Sequence, residues 1–155
     1  MKLIGLDYGS KTVGVAASDE MQILASPVET IFRKEEGKLR KTYARIEEIC
    51  REQGASGVVV GLPVNMDGEE SERSALARDF AEAVARRTGL SVVLWDERLT
   101  TVEAEEILRE KGVPRRDFKK EIDAIAAAII LQDYLDNAKE TPSGFSKQDK
   151  TEAEG

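Results

Sequence analysis

Two short apolar runs, Leu3 to Leu6 and Val13 to Ala17, flank the polar stretch Asp7, Tyr8, Gly9, Ser10, Lys11 and Thr12, a layout that predicts a β-hairpin. A third extended run, Gln22 to Ile31, contains Pro27, which cannot donate to a ladder and so assigns that strand to a sheet edge. The period then changes. Leu39, Tyr43, Ile46 and Cys50 recur at helical spacing, and Gly54 closes that helix. Gly57 to Gly61 encloses three valines, the continuous apolar run of a parallel strand covered on both faces. Leu76, Phe80 and Val84 mark a second helix ended by Gly89, and Ser91 to Trp95 reads as another buried strand. Thr100 and Glu103 have the spacing of a capping box for a helix that reaches Lys111, before Gly112 and Pro114 break it. The last helix runs from about Phe118 to Asp136, with Ile122, Ile125, Ala126, Ile129 and Ile130 on one broad apolar face. This order predicts an α/β fold: a mixed five-stranded sheet, three antiparallel strands and then parallel ones, flanked by helices in one domain over residues 1–136. The polar segment 137–155, with Pro142 and Gly144, is expected to be a disordered tail.

Composition narrows the chemistry. A chain of 155 residues is long enough for one real core. The single Cys50 lies on an apolar stripe and has no partner in the chain, as in a reduced cytoplasmic protein. No run is long and apolar enough for a membrane span and no leader pattern precedes the first strand, so a soluble protein with no membrane partner is expected. Histidine is absent, which removes the usual zinc ligand, the usual neutral-pH base and the Ser-His and Cys-His nucleophile pairs. Chemistry is left to carboxylates, lysines and hydroxyls, and a carboxylate site suits a hard cation, Mg2+ or Mn2+. The net charge of −7 argues mildly against nucleic acid as a partner, yet Arg109 to Lys120 holds six basic residues against two acidic ones. Lys119 and Lys120 in that patch are candidate contacts to a phosphate backbone.

Three acids interrupt apolar contexts: Asp7 at the end of the first strand, Glu97 just past the last, and Asp123 on the final helix. Asp7 alone reads equally well as a turn initiator or a metal ligand. In a mixed sheet, however, sites gather beyond the carboxyl ends of the strands, where Asp7 and Glu97 both emerge. Asp96 and Glu97 must point opposite ways, so only one can face Asp7. If Asp7, Glu97 and Asp123 converge, two divalent ions between them can drive in-line phosphodiester hydrolysis without histidine. Lys11 in the hairpin turn is a candidate phosphate contact, Asn65 in the loop after the fourth strand a substrate contact, and Tyr8 a platform for a base. Trp95 reads as core.

The segments GLDYGSKTVGVAASD, VVVGLPVNMDG, WDERLTT and IDAIAAAIILQDYL resemble the four motifs of the YqgF/RuvX family, over roughly residues 2 to 136. The resemblance implies an RNase H-like fold and a nuclease that processes the 5′ end of precursor 16S ribosomal RNA during ribosome biogenesis. The family is also described as a Holliday-junction resolvase. The implied partner is nucleic acid, precursor rRNA or branched DNA, bound by a monomer or homodimer. By similarity the family's acidic residues fall on Asp7, Glu97 and Asp123, and its basic and polar motif members on Lys11, Asn65, Arg98 and Thr101. After Asp67 and Gly68 many members carry Thr and a further Gly, whereas this chain has Glu69, Glu70, Ser71 and Glu72, charges that oppose phosphate contact by that loop. Two other classes compete. A phosphotransferase of the actin and sugar-kinase type shares the Asp-x-Gly hairpin but needs a second such domain, and a non-catalytic nucleic-acid binding module would not need the three acids.

Overall fold

The computed structural model describes residues 1–97, 100–114, 118–140 and 150–151, with side chains described outside 100–103, 118–120, 138–140 and 150–151. Strands β1 (Lys2–Tyr8), β2 (Thr12–Ser18) and β3 (Ala25–Phe32) form an antiparallel meander. Helix α1 (Arg40–Gln53) leads to β4 (Ala55–Leu62), and α2 (Glu72–Thr88) leads to β5 (Ser91–Asp96). Both strands join the sheet in parallel, β4 beside β1 and β5 beside β4. Helices α3 (Thr100–Glu110) and α4 (Phe118–Glu140) follow, and a two-residue strand β6 (Lys150–Thr151) pairs antiparallel with β5. The sheet order is β3-β2-β1-β4-β5-β6. The mixed α/β sheet expected from the hydrophobic pattern is present, with β3 on the edge opposite β6. Three boundaries differ: the edge strand starts at Ala25, because Gln22 sits in a turn at φ 57°, α4 continues to Glu140, and Lys150 and Thr151 of the expected tail add a short sixth strand.

Strand alternation divides the core into two layers. Ile4, Leu6 and Tyr8 of β1, Val13 and Val15 of β2, Val58 and Val60 of β4, and Val92 and Leu94 of β5 pack on α1 and α2 through Ile46, Ile49, Phe80 and Val84. The intervening positions Ala16, Val59 and Val93 pack on Ala127, Ile130, Leu131, Tyr134 and Leu135 of α4. The other flank of α4, Ile125 and Ala126, covers Ala104 and Leu108 of α3. Apolar contacts on two sides explain why its sequence reads as one unusually broad apolar face. Trp95 is partly buried at the seam between β5 and α4; its indole nitrogen donates to Asp133 Oδ2 at 2.7 Å, and its ring meets Tyr134 edge-on at 5.2 Å. Cys50 is buried in the first layer, and burial pushes its thiol up to about 11.

Glycines let α4 lie this close. A Cβ on Gly5 would stand 2.8 Å from Leu131 Cβ and 3.0 Å from the Ala127 carbonyl oxygen. A Cβ on Gly14 would stand 1.8 Å from the Asp123 carbonyl oxygen, a distance no side chain survives. The helix backbone therefore rests directly on β2, and that contact positions the start of α4.

Candidate active site

Asp7 is the last residue but one of β1, and its cross-strand partner is Gly14. Opposed residues of an antiparallel pair share a face, so Asp7 stands on the face where Gly14 touches the Asp123 backbone. Glu97 reaches the same face from β5. Its amide donates to the Leu62 carbonyl at 3.2 Å, one step beyond the Leu62 and Asp96 pair, which extends the ladder past the assigned strand end. Alternation then turns Asp96 away and Glu97 inward, as the sequence required of one of them. Gly61 makes the space: a Cβ there would lie 3.0 Å from the Glu97 carboxyl carbon and 2.6 Å from Ile130 Cδ1.

The two carboxyl groups meet in a hydrogen bond, and Asp123 acts on Asp7 through its charge. Burial pushes Asp7 up to about 6; the bond from Glu97 opposes that rise and the Asp123 charge adds to it. Glu97 is pushed up to about 10, first by burial, then by the charge of Asp7 and the hydrogen bond, with Asp96 adding and Arg73 opposing. Both directions follow from placing two acids side by side away from water. One proton, held on Glu97 and donated to the Asp7 carboxylate, removes one of the pair's two negative charges. Among the described residues no three His, Cys, Asp or Glu side chains are already arranged as a metal site: Asp7 and Glu97 are hydrogen-bonded, and Asp123 is near enough for its charge to act on Asp7. The donors nevertheless fit a divalent cation. They are hard anionic oxygens, and an acid pair that needs a proton to tolerate burial would be relieved by a cation in its place.

The other expected site residues divide. Lys11 is exposed in the β1–β2 turn, where its carbonyl accepts from the Arg33 amide at 2.8 Å and Gly9 donates to Thr12 at 2.8 Å. Asn65 is exposed in a small hairpin after β4, closed by the Val64 and Glu70 bridge, with Gly68 at its tip in the left-handed region at φ 89°. Thr101 lies in the first turn of α3, and Lys119 and Lys120 in the first turn of α4, about one turn before Asp123; their side chains, and all of Arg98, lie outside the described residues.

Tyr8 is not with the carboxylates. As the neighbour of Asp7 on a strand it points to the opposite face, where it is 7% exposed and stacked on Phe80 at 4.6 Å between ring centres. Its hydroxyl donates to Glu36 Oε2 at 3.1 Å, and the Arg33 and Arg73 guanidinium groups lie 5.0 and 5.6 Å from its ring centre. The expected base platform is a core residue ringed by two cations. Arg33 also donates to the Gly9 carbonyl at 2.6 Å and to the Glu36 carbonyl at 3.1 Å, and Arg73 donates to Glu36 Oε2 at 2.7 Å. Sequence reasoning missed this clamp on the hairpin turn, because contacts among residues 8, 33, 36 and 73 leave no periodic trace.

A putative pre-16S rRNA nuclease of Lachnospira eligens is 56% identical over 137 residues, covering 88% of this chain and 98% of the relative. A relative of the same name from Symbiobacterium thermophilum is 46% identical over 146 residues, covering 94% of this chain and 99% of its own. Among solved structures, Thermus thermophilus RuvC in complex with a Holliday junction substrate superposes with a TM-score of 0.59 at 19% identity, covering 91% of this chain and 97% of that one. Unbound RuvC of the same organism gives 0.56 at 16% identity, over 91% and 98%. These likenesses identify the fold as RNase H-like. The family model described as "RuvX: Holliday junction resolvase" matches residues 1–137, from the first strand almost to the end of α4, and on that match the chain belongs to the RuvX family.

Proposed function

We propose that the protein is a metal-dependent endonuclease that hydrolyses phosphodiesters, acting on the 5′ end of precursor 16S rRNA during ribosome biogenesis in the cytoplasm. The observation that carries this reading is the half-buried, hydrogen-bonded Asp7 and Glu97 pair, within reach of the Asp123 charge, at the carboxyl ends of β1 and β5. The substrate follows from the names of relatives at 46–56% identity that span nearly the whole chain. Among the described residues no helix is long and apolar enough to cross a membrane, which suits a target in the cytoplasm.

Asp7, Glu97 and Asp123 would hold Mg2+ or Mn2+. When bound, a pair of such ions supplies an activated water and stabilises the departing oxygen of an in-line displacement. The chain's own part is to present three anionic oxygens from three elements fixed by the β1–β2 pairing, the β4–β5 ladder and the Gly14 contact. Glu97 must give up its proton to solvent before it can serve as a ligand, so cation affinity rises with pH. Lys11, exposed in the turn that follows Asp7, would contact a phosphate oxygen, with Asn65, Arg98, Thr101, Lys119 and Lys120 as further substrate contacts. Water attack with loss of the 3′ oxygen leaves a 5′ phosphate and a 3′ hydroxyl.

A second reading, resolution of Holliday junctions, is favoured by the description of the matching family, and would require a symmetric dimer to cut both strands. Both are tested by incubating wild type and Asp7→Asn with precursor rRNA and with a four-way DNA junction in Mg2+ or Mn2+, and mapping the ends. Cleavage of the RNA alone is expected, and the variant should lose at least about 10³-fold, the scale for removing one member of a cooperating set. Equal cutting by variant and wild type overturns the carboxylate assignment, and cutting of the junction alone favours the second reading.

A further inference from the structure

Where β3 leaves the sheet and the chain turns into α1, a groove of about 670 Å³ opens, lined by Phe32, Arg33, Lys34, Lys38, Arg40 and Lys41 among others. Five cations fall here within ten residues, on a chain whose net charge is −7. The two carboxylates between them are already engaged: Glu35 with Lys38 at 3.6 Å, and Glu36 with Arg73. Lys34, Arg40 and Lys41 are exposed and have no side-chain partner among the described residues. Arg40 and Lys41 also occupy the first turn of α1, which has no acidic residue. Cations at a helix N-terminus oppose its dipole, so helix stability does not account for them.

Phe32 sets the direction. It is 64% exposed at the end of β3, and its partner across the ladder is Thr12. Thr12 lies two residues from Gly14, the partner of Asp7, so Phe32 stands on the carboxylate face of the sheet. Two strand spacings and two residues of rise separate it from Asp7, about 12 Å, or roughly four bases at the 3.4 Å spacing of a stacked strand. Arg33, at the inner end of the groove, is hydrogen-bonded to Gly9 and Lys11 of the turn between them.

We propose that this groove binds the single-stranded segment flanking the cleaved phosphodiester, with Phe32 stacking on a base and Lys34, Arg40 and Lys41 following the backbone. It is the single strand that fits, because an exposed ring needs the open face of a base, which a duplex hides. This rests on the nuclease reading and specifies where its substrate lies. The test uses a labelled 12-nucleotide RNA and a duplex of the same sequence, with affinity read by fluorescence anisotropy in EDTA over a range of salt. Without divalent cations this readout is independent of the carboxylates, so it can fail while Asp7→Asn still abolishes cutting, and the reverse.

Phe32→Ala is expected to weaken single-strand binding about tenfold. Arg40→Glu with Lys41→Glu should weaken it by a similar factor and reduce the salt slope by about 1.4, two phosphate contacts' worth. Acids suit a helix N-terminus, so that double variant keeps its fold, which a melting curve checks. Unchanged affinity and slope in both variants, or no binding by wild type, overturns the proposal. Equal losses on single strand and duplex overturn the single-strand assignment.

Discussion

The two faces of the sheet solve different problems with neighbouring residues of the same strands. Toward α1 and α2, β1 presents Ile4, Leu6 and Tyr8, and the layer closes on Phe80 with rings stacked at 4.6 and 5.8 Å. Toward α4 it presents Leu3, Gly5 and Asp7, and glycines at 5, 14 and 61 bring a helix backbone and an acid side chain where side chains would otherwise stand. Volume fills one face; its removal shapes the other. The proposed acid site depends on the second arrangement, since Asp7 and the start of α4 come together only where the strand positions beneath the helix lack side chains.

The sharpest way to break the carboxylate face is Gly14→Ala. The added methyl collides with the Asp123 carbonyl, α4 must lift, and stability should fall by about 3 kcal/mol, the upper range for overpacking. Denaturant unfolding reads the loss, and a wild-type midpoint would mean that α4 is free to adjust.

Next in size is a pH effect confined to the same face. Asp7 and Glu97 are both raised in the folded state, to about 6 and about 10, so the native protein holds protons that the unfolded chain releases. Their contribution is complete below the ordinary carboxylate range and is lost as pH rises through the folded values. In EDTA, stability should fall steadily between pH 6 and 8, at up to about 1.4 kcal/mol per unit for a single retained proton. Glu97→Gln should flatten the slope and Mg2+ should offset it in wild type. A flat wild-type profile in EDTA would dissolve the shared-proton description.

The smallest effect sharpens the contrast from the other face. Tyr8→Phe removes only the hydroxyl bond to Glu36, worth about 1 kcal/mol, and leaves the ring on Phe80. Melting should shift slightly while RNA affinity and cleavage stay at wild-type level. A large loss of affinity would return Tyr8 to the substrate side.

Periodicity carried most of the fold. The switch from alternating to helical spacing after Ile31, the valine run at 58–60 and the glycines at 54 and 89 all mark element boundaries close to those observed. Asp7 and Glu97 stand out in the sequence because each ends a strand; alternation requires only that one of Asp96 and Glu97 face Asp7, and it is the family resemblance that points to Glu97. The same rule applied to Asp7 and Tyr8 would have placed the tyrosine in the core; its position beside an acid in a polar turn drew attention away from the parity of the strand. The groove at β3 and α1 escaped notice because Glu35 and Glu36 interleave with its cations, and only folding pairs those acids off. Nothing local marks Arg73 as the partner of Glu36, since α2 delivers it from 37 residues away.

Trp95 is the chain's single tryptophan, and it stands two positions before Glu97 with its nitrogen tied to α4. Any rise or settling of that helix against the sheet, whether from cation loading or from a seated strand, alters the surroundings of one indole. The protein thus contains its own optical gauge at the joint beside the proposed acid site, and ultraviolet emission can follow that joint without a label.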